Sequence, residues 1–118
     1  MNDTEYDITG ISGMRVSRKR GFSEASFLID WDGGEQSYEF ATEAHGNDFF
    51  DEYIRENVAE IHPVRELKVR NGQVVIVHQV KWKNHFFKTF EEPRFLHTSP
   101  FFMTRATSQS SSSQHPHG

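Results

Sequence analysis

One short pattern occurs twice in this chain, and it limits the fold more than any other feature. An apolar run ending in Trp, a tight polar turn and a second run with an aromatic followed by Glu appears as Phe27-Leu28-Ile29-Asp30-Trp31-Asp32-Gly33-Gly34 with Tyr38-Glu39-Phe40. It returns as Val77-His78-Gln79-Val80-Lys81-Trp82-Lys83-Asn84 with Phe90-Glu91-Glu92-Pro93. Both tryptophans therefore occupy equivalent settings, each at the end of a strand that turns back on itself. A repeated β module of this kind suits a recognition surface better than an active site.

The chain has 118 residues, 35% of them hydrophobic and 14% aromatic. That is enough for one modest core, or for two very small modules that must lean on each other. Eleven Phe residues supply much of the apolar area, because each aromatic buries on the order of 150–250 Å². The absence of Cys excludes disulfides and thiolate metal sites and fits a reducing compartment. Neither a signal peptide nor a run long enough to span a membrane is visible, so a soluble intracellular protein is expected.

The net charge of −4 hides an asymmetry. Residues 1–60 carry 5 Lys+Arg against 14 Asp+Glu, and residues 61–118 carry 8 against 3. The acidic half suits a basic partner such as a histone tail, while the basic half suits nucleic acid or the acidic half itself. No dense basic cluster is present in the second half, which favours self-neutralisation.

Along the chain, Ile8, Ile11, Met14 and Val16 interrupted by Gly10 and Gly13 predict a bent or bulged first strand. The alternation of Phe27, Ile29 and Trp31 predicts a half-buried second strand, and Ser37 to Phe40 a short third one, with Tyr38 and Phe40 in the core. Asn47 followed by Asp48, Asp51 and Glu52 marks a helix start. Within that helix Phe49, Phe50, Tyr53 and Ile54 form one apolar stripe, and Pro63 is expected to end the element. A second set of strands follows: Val64 to Val69, the Asn71-Gly72 hairpin turn, Val74 to Trp82, and Phe86 to Phe90. Ser99-Pro100 opens a short helix ahead of Phe101, Phe102 and Arg105. From residue 107 the Ser-rich composition predicts a disordered tail, 107–118.

These features resemble a chromodomain, the small reader fold of the heterochromatin protein family. Its opening motif has a counterpart in Glu5-Tyr6-Asp7-Ile8-Thr9-Gly10-Ile11, its Trp-containing strand in Phe27 to Gly33, and its following strand in Gln36-Ser37-Tyr38-Glu39-Phe40. The likeness covers residues 5–57. It implies an α+β, mainly β fold: a curved three-stranded antiparallel sheet with a C-terminal helix (residues 5–58), then a second, diverged chromo-like module or β extension (residues 62–105). In that second part Lys81-Trp82-Lys83-Asn84 and Lys88-Thr89-Phe90-Glu91-Glu92-Pro93 are similar to the same family motifs, so a tandem pair is expected.

The resemblance implies a non-enzymatic, nuclear, chromatin-associated reader or adaptor that binds an extended basic peptide, a methyl-lysine histone tail being the type case. Tyr6 and Trp31 match two walls of the family's aromatic cage, Glu35 matches its acidic lining, and Gly34 stands where the third aromatic belongs. A cage grips an alkylated ammonium because that cation is weakly hydrated and attracted to π faces. The family's shadow variant lacks the cage, and it implies a different use, with Phe49, Phe50, Tyr53 and Ile54 as a homodimer or protein-partner surface. A third reading places nucleic-acid contacts at Lys81, Lys83, Lys88 and Arg94 around Trp82. No cofactor, metal or membrane partner is expected. His45, His62, His78, His85 and His97 are scattered without ligand spacing, His115 and His117 fall in the tail, and Gly33-Gly34 joins two strands rather than a strand to a helix. Asp30, Asp32 and Glu35 cluster near Trp31 and read as an acidic rim for a basic peptide rather than as a paired acid and base.

Overall fold

The computed structural model describes residues 7–100. Tyr6, the segment from Phe101 to Arg105 and the 107–118 tail lie outside them. The fold is mainly β: two three-stranded antiparallel sheets and a few short helices.

The first sheet is a meander of β1 (Ile8–Ser17), β2 (Glu24–Trp31) and β3 (Gln36–Phe40). β1 loses register against β2 between Ile8 and Gly10 and again between Ile11 and Gly13, so both irregularities fall at the glycines that interrupt its apolar pattern. In central β2 Glu24, Ala25, Ser26, Phe27 and Ile29 are buried, with Ala25, Phe27 and Ile29 fully so. Tyr38 and Phe40, expected in the core, are instead exposed and half-buried. β3 is an edge strand. The guanidinium groups of Arg15 and Arg20 lie 3.8 Å above the Tyr38 and Phe40 rings respectively, covering them with cations rather than with other apolar groups.

A four-residue helix, α1 (Ala41–Ala44), leads into α2 (Asp48–Asn57). The Asn47 side-chain oxygen accepts from the Phe50 amide at 2.9 Å, satisfying an amide that the helix start leaves unpaired. Phe50 and Ile54 are buried, whereas Phe49 is 42% exposed, so the apolar stripe is narrower than its spacing suggests. The helix stops at Asn57, not at Pro63. Chain direction changes at Val58, which is fully buried and opens the next strand.

The second sheet consists of β4 (Val58–Arg70), β5 (Gln73–Trp82) and β6 (Thr89–Glu91). Pro63 lies inside β4, in the stretch between Ile61 and Arg65 where the ladder to β5 slips. A residue without an N–H is tolerated at such an irregularity. The Asn71-Gly72 turn has positive φ at both residues, the twist a two-residue hairpin requires. β6 starts at Thr89 rather than Phe86, and both Phe86 and Phe87 are exposed. Pro93–Phe95 forms a single 3₁₀ turn.

Both sheets contribute to one core. Met14, Phe27 and Ile29 from the first, Phe50 and Ile54 from α2, and Ile61, Val80 and Trp82 from the second form a continuous buried cluster closed by Phe95 and Leu96. Phe27 is its centre, with its ring edge-on to Phe50 at 5.2 Å, Tyr53 at 5.7 Å and Trp82 at 5.9 Å. The two sheets are also tied through the backbone: the Phe90 amide donates to the Ser23 carbonyl at 2.8 Å, and the Asn71 amide to the Arg20 carbonyl at 3.0 Å. Gly21 fits under the hairpin tip only because it lacks a side chain. It has φ +129°, and a Cβ there would come within 2.3 Å of the Val69 carbonyl oxygen.

Candidate functional site

The two tryptophans do hold equivalent positions, and each anchors the same side-chain relay. The Trp31 indole N–H donates to Ser37 Oγ at 2.8 Å, and Ser37 donates to Glu39 at 2.7 Å. In the second sheet the Trp82 indole donates to Thr89 Oγ1 at 2.8 Å, and Thr89 in turn is hydrogen-bonded to Glu91. Trp82, Thr89 and Glu91 are all buried, while Trp31 is only half-buried. One relay lies in the core, and the other stands at the surface.

Trp31 ends β2, and the turn after it folds back tightly: the Trp31 amide donates to the Glu35 carbonyl at 2.8 Å, and the Gly34 amide to the Trp31 carbonyl at 3.0 Å. Beside the indole is an open recess of about 310 Å³ lined by Thr9, Asp30, Trp31, Asp32, Gly33, Gly34, Glu35 and Gln36. Three of those eight residues carry carboxylates and none is basic, so the recess is an acidic one. Asp30 accepts from Ser12 Oγ and, at 2.6 Å, from the Gln36 side-chain amide. These two bonds, the Ser12 one first, hold its carboxyl below the ordinary aspartate range. Trp31 and Glu35 are therefore neighbours, as the sequence suggested, and Asp30 and Asp32 join them. Gly34 has φ +93°, a conformation an aromatic residue adopts only under strain. The turn geometry itself accounts for the absence of an aromatic wall at this position.

The proposed partner surface divides. Phe50 and Ile54 are 1% exposed and belong to the core, which corrects their assignment to a surface, since the sheets already cover the face they lie on. Phe49 and Tyr53 remain accessible and line a second recess of about 230 Å³ with Gly10, Ile11, Glu52 and Glu56. Burial first, and then the nearby Tyr38, raises the Tyr53 phenol above its ordinary pKa.

Trp82 is not available to a nucleic acid. The indole is 2% exposed with its N–H committed to Thr89, so it offers no stacking platform. Lys81 and Lys88 flank a recess of only about 40 Å³ together with Glu60, His62 and Gln79. Lys83 is exposed in the following turn, and Arg94 is bound to Glu92 at 3.1 Å and lies over the Phe95 ring.

Sequence reasoning missed the polar seam between the sheets. Glu24, 2% exposed, accepts two 2.8 Å bonds from Arg20 and a third contact from Arg70 at 3.2 Å. Arg70 also binds Glu92 at 2.7 Å. Glu91 sits beside this network, accepting from the Ala25 amide at 2.8 Å. Burial pushes its carboxyl up to about 8 against these bonds, with Glu24 adding to the rise and Arg70 opposing it. At 3% exposure, and bonded across to β2 through the Ala25 amide, Glu91 ties the two sheets together. Partners up to 66 residues apart leave no local signal in the sequence. Among the described residues no group of His, Asp and Glu is arranged to hold a metal ion, and no helix is long and apolar enough to cross a membrane.

Comparison with family models, with curated proteins and with solved structures finds no match to this chain.

Proposed function

We propose that this protein is a non-enzymatic, nuclear, chromodomain-like reader or adaptor that binds an extended basic peptide, such as a histone tail, at the acidic recess beside Trp31. The observation that carries the reading is the company Trp31 keeps: a half-buried indole flanked by Asp30, Asp32 and Glu35 with no cation among the lining residues. An ammonium group entering there gains the π face of the indole and the negative field of the surrounding carboxylates. The outer edge of β3, which has no strand partner among the described residues and begins at the same recess with Gln36, supplies main-chain partners for a peptide that adds as a further strand. The acidic excess of the first 60 residues steers such a peptide toward this side. Tyr6 precedes Ile8, the first β1 residue to pair with Trp31, by two positions, and it is the second aromatic that this reading assigns to the cation.

A Lys-rich peptide in unmodified and trimethylated forms, titrated while Trp emission is followed, tests this directly. Trp82 is shielded, so the change reports Trp31, and Trp31→Ala removes it. No binding of either form at millimolar peptide refutes the proposal, as does binding that Trp31→Ala leaves intact.

A further inference from the structure

We propose that the recess between α2 and β1 is a binding site for an arginine side chain presented by a partner polypeptide. Phe49, Glu52, Tyr53 and Glu56 are spaced i, i+3, i+4 and i+7 along α2, which sets them on one face of the helix with aromatic and acidic groups alternating. Gly10 and Ile11 of β1 complete the lining. At about 230 Å³ the space suits a single side chain and not a drug-sized ligand.

Charge selects the sign of that side chain. None of the six lining residues is basic, and Arg55, the only cation of α2, is not among them. Neither Glu52 nor Glu56 has an ion-pair partner among the described residues. Two accessible aromatic rings and two carboxylates without a counter-ion therefore face one small space, the combination that attracts an organic cation.

The same combination recurs within the fold, and there arginine fills it. Arg20 lies 3.8 Å above the Phe40 ring and donates two 2.8 Å bonds to Glu24. Arg70 lies 5.6 Å from the Phe22 ring centre and pairs with Glu24 and Glu92, and Arg94 lies 4.4 Å over Phe95 and pairs with Glu92. Lys68, over Phe90, makes one looser contact of 3.6 Å with Glu66. The difference is chemical: a guanidinium lays its face on a ring while its edge donates to carboxylates, whereas an ammonium is a strongly hydrated point charge. A trimethylated ammonium has no N–H to donate to Glu52 or Glu56 at all. The arginine stem, being aliphatic, packs on Ile11. This recess shares no lining residue with the one beside Trp31, so arginine binding here stands whatever the other recess takes.

Amide chemical shifts of the full chain, followed by NMR during titration with acetyl-Gly-Arg-Gly-amide, test the proposal, with circular dichroism confirming that each variant is folded. We expect movement at residues 10–11 and 49–56 with a dissociation constant of about 1–10 mM, the strength of one aromatic contact and exposed ion pairs. The equivalent Lys peptide binds at least about threefold more weakly, and the neutral citrulline peptide does not bind. Glu52→Gln combined with Glu56→Gln weakens arginine binding about tenfold and Phe49→Ala about threefold, while Trp31→Ala leaves it unchanged. No movement at these amides by about 50 mM peptide overturns the proposal. So does equal binding of the Lys or citrulline peptide, or full affinity in the doubly substituted protein. Shifts confined to residues 30–36 also overturn it, because the Trp31 recess then takes the arginine. Shifts at residues 49–56 that follow protein concentration without peptide do the same, since a second copy then fills the recess.

Discussion

Replacing Glu91 with Gln is expected to stabilise the protein, increasingly so as pH rises. The Glu91 carboxyl is 3% exposed, and burial holds its pKa near 8 in the fold, against about 4.5 in the unfolded chain. Between those values the folded protein keeps a proton that the unfolded chain has released, so unfolding sheds one proton. Its contribution is fully present below about pH 4.5 and is lost as pH rises toward 8, at about 1.4 kcal/mol per pH unit and on the order of 5 kcal/mol in all. The amide in the Glu91→Gln variant stays neutral throughout, and its carbonyl oxygen still accepts from the Ala25 amide. Relative to the wild type, Glu91→Gln should therefore gain about 3 kcal/mol between pH 5 and pH 7.5. That is a large share of the ~5–15 kcal/mol that holds a domain of this size. Urea unfolding of both proteins at four pH values within this window measures the difference, and taking it cancels the contributions of other titrating groups. Two curves that stay parallel from pH 5 to pH 7.5 would show that Glu91 is ionised in the fold, and the argument from burial would fail.

Arg70→Ala removes a cation from both Glu24 and Glu92 and leaves the former buried beside Arg20 alone; a loss of about 2–4 kcal/mol is expected in chemical denaturation. Gly21→Ala drives a methyl group into the Val69 carbonyl at a φ that Ala resists, and should cost at least about 2 kcal/mol by the same assay. Exchanging each tryptophan for Ala separates the two copies of the repeat. Trp82→Ala should cost about 3–5 kcal/mol, while the half-exposed Trp31→Ala should cost less than half as much, and equal losses would contradict their different burial. Peptide affinity at the Trp31 recess should fall as salt is raised, since its rim is exposed and acidic, and titration at 50 and 300 mM salt checks this.

Much of the architecture was legible because its determinants are local. Alternation gave β2 and β5, Asn71-Gly72 gave the hairpin, Asn47 gave the start of α2, and Gly10 and Gly13 gave the irregular β1. The errors share one cause, which is that local signals do not say what lies opposite. Pro63 marked a helix end only until a slipped ladder supplied a place for it in β4. Phe50 and Phe49 are adjacent in one amphipathic stripe, yet Phe50 meets Phe27 and Phe49 meets solvent. Phe86 and Phe87 read as strand residues by composition, and the bonding that makes β6 starts three residues after Phe86.

The candidate site was half visible in the same way. Asp30, Asp32 and Glu35 lie close in sequence to Trp31, so their clustering needs only one tight turn. The Glu24, Glu91 and Arg70 seam needs three separate strands brought together.

The amino-acid order alone determined that this protein would be built from two similar Trp-terminated meanders, because strand periodicity and turn chemistry act over a few residues. It did not determine that the copies would take different roles. Packing decided that: Trp82 lies edge-on to Phe27 at 5.9 Å and is enclosed with its relay in the shared core, whereas Trp31 packs against that core only in part. Trp31, at the end of β2 in the other sheet, stays half-exposed at a recess lined by Asp30, Asp32 and Glu35.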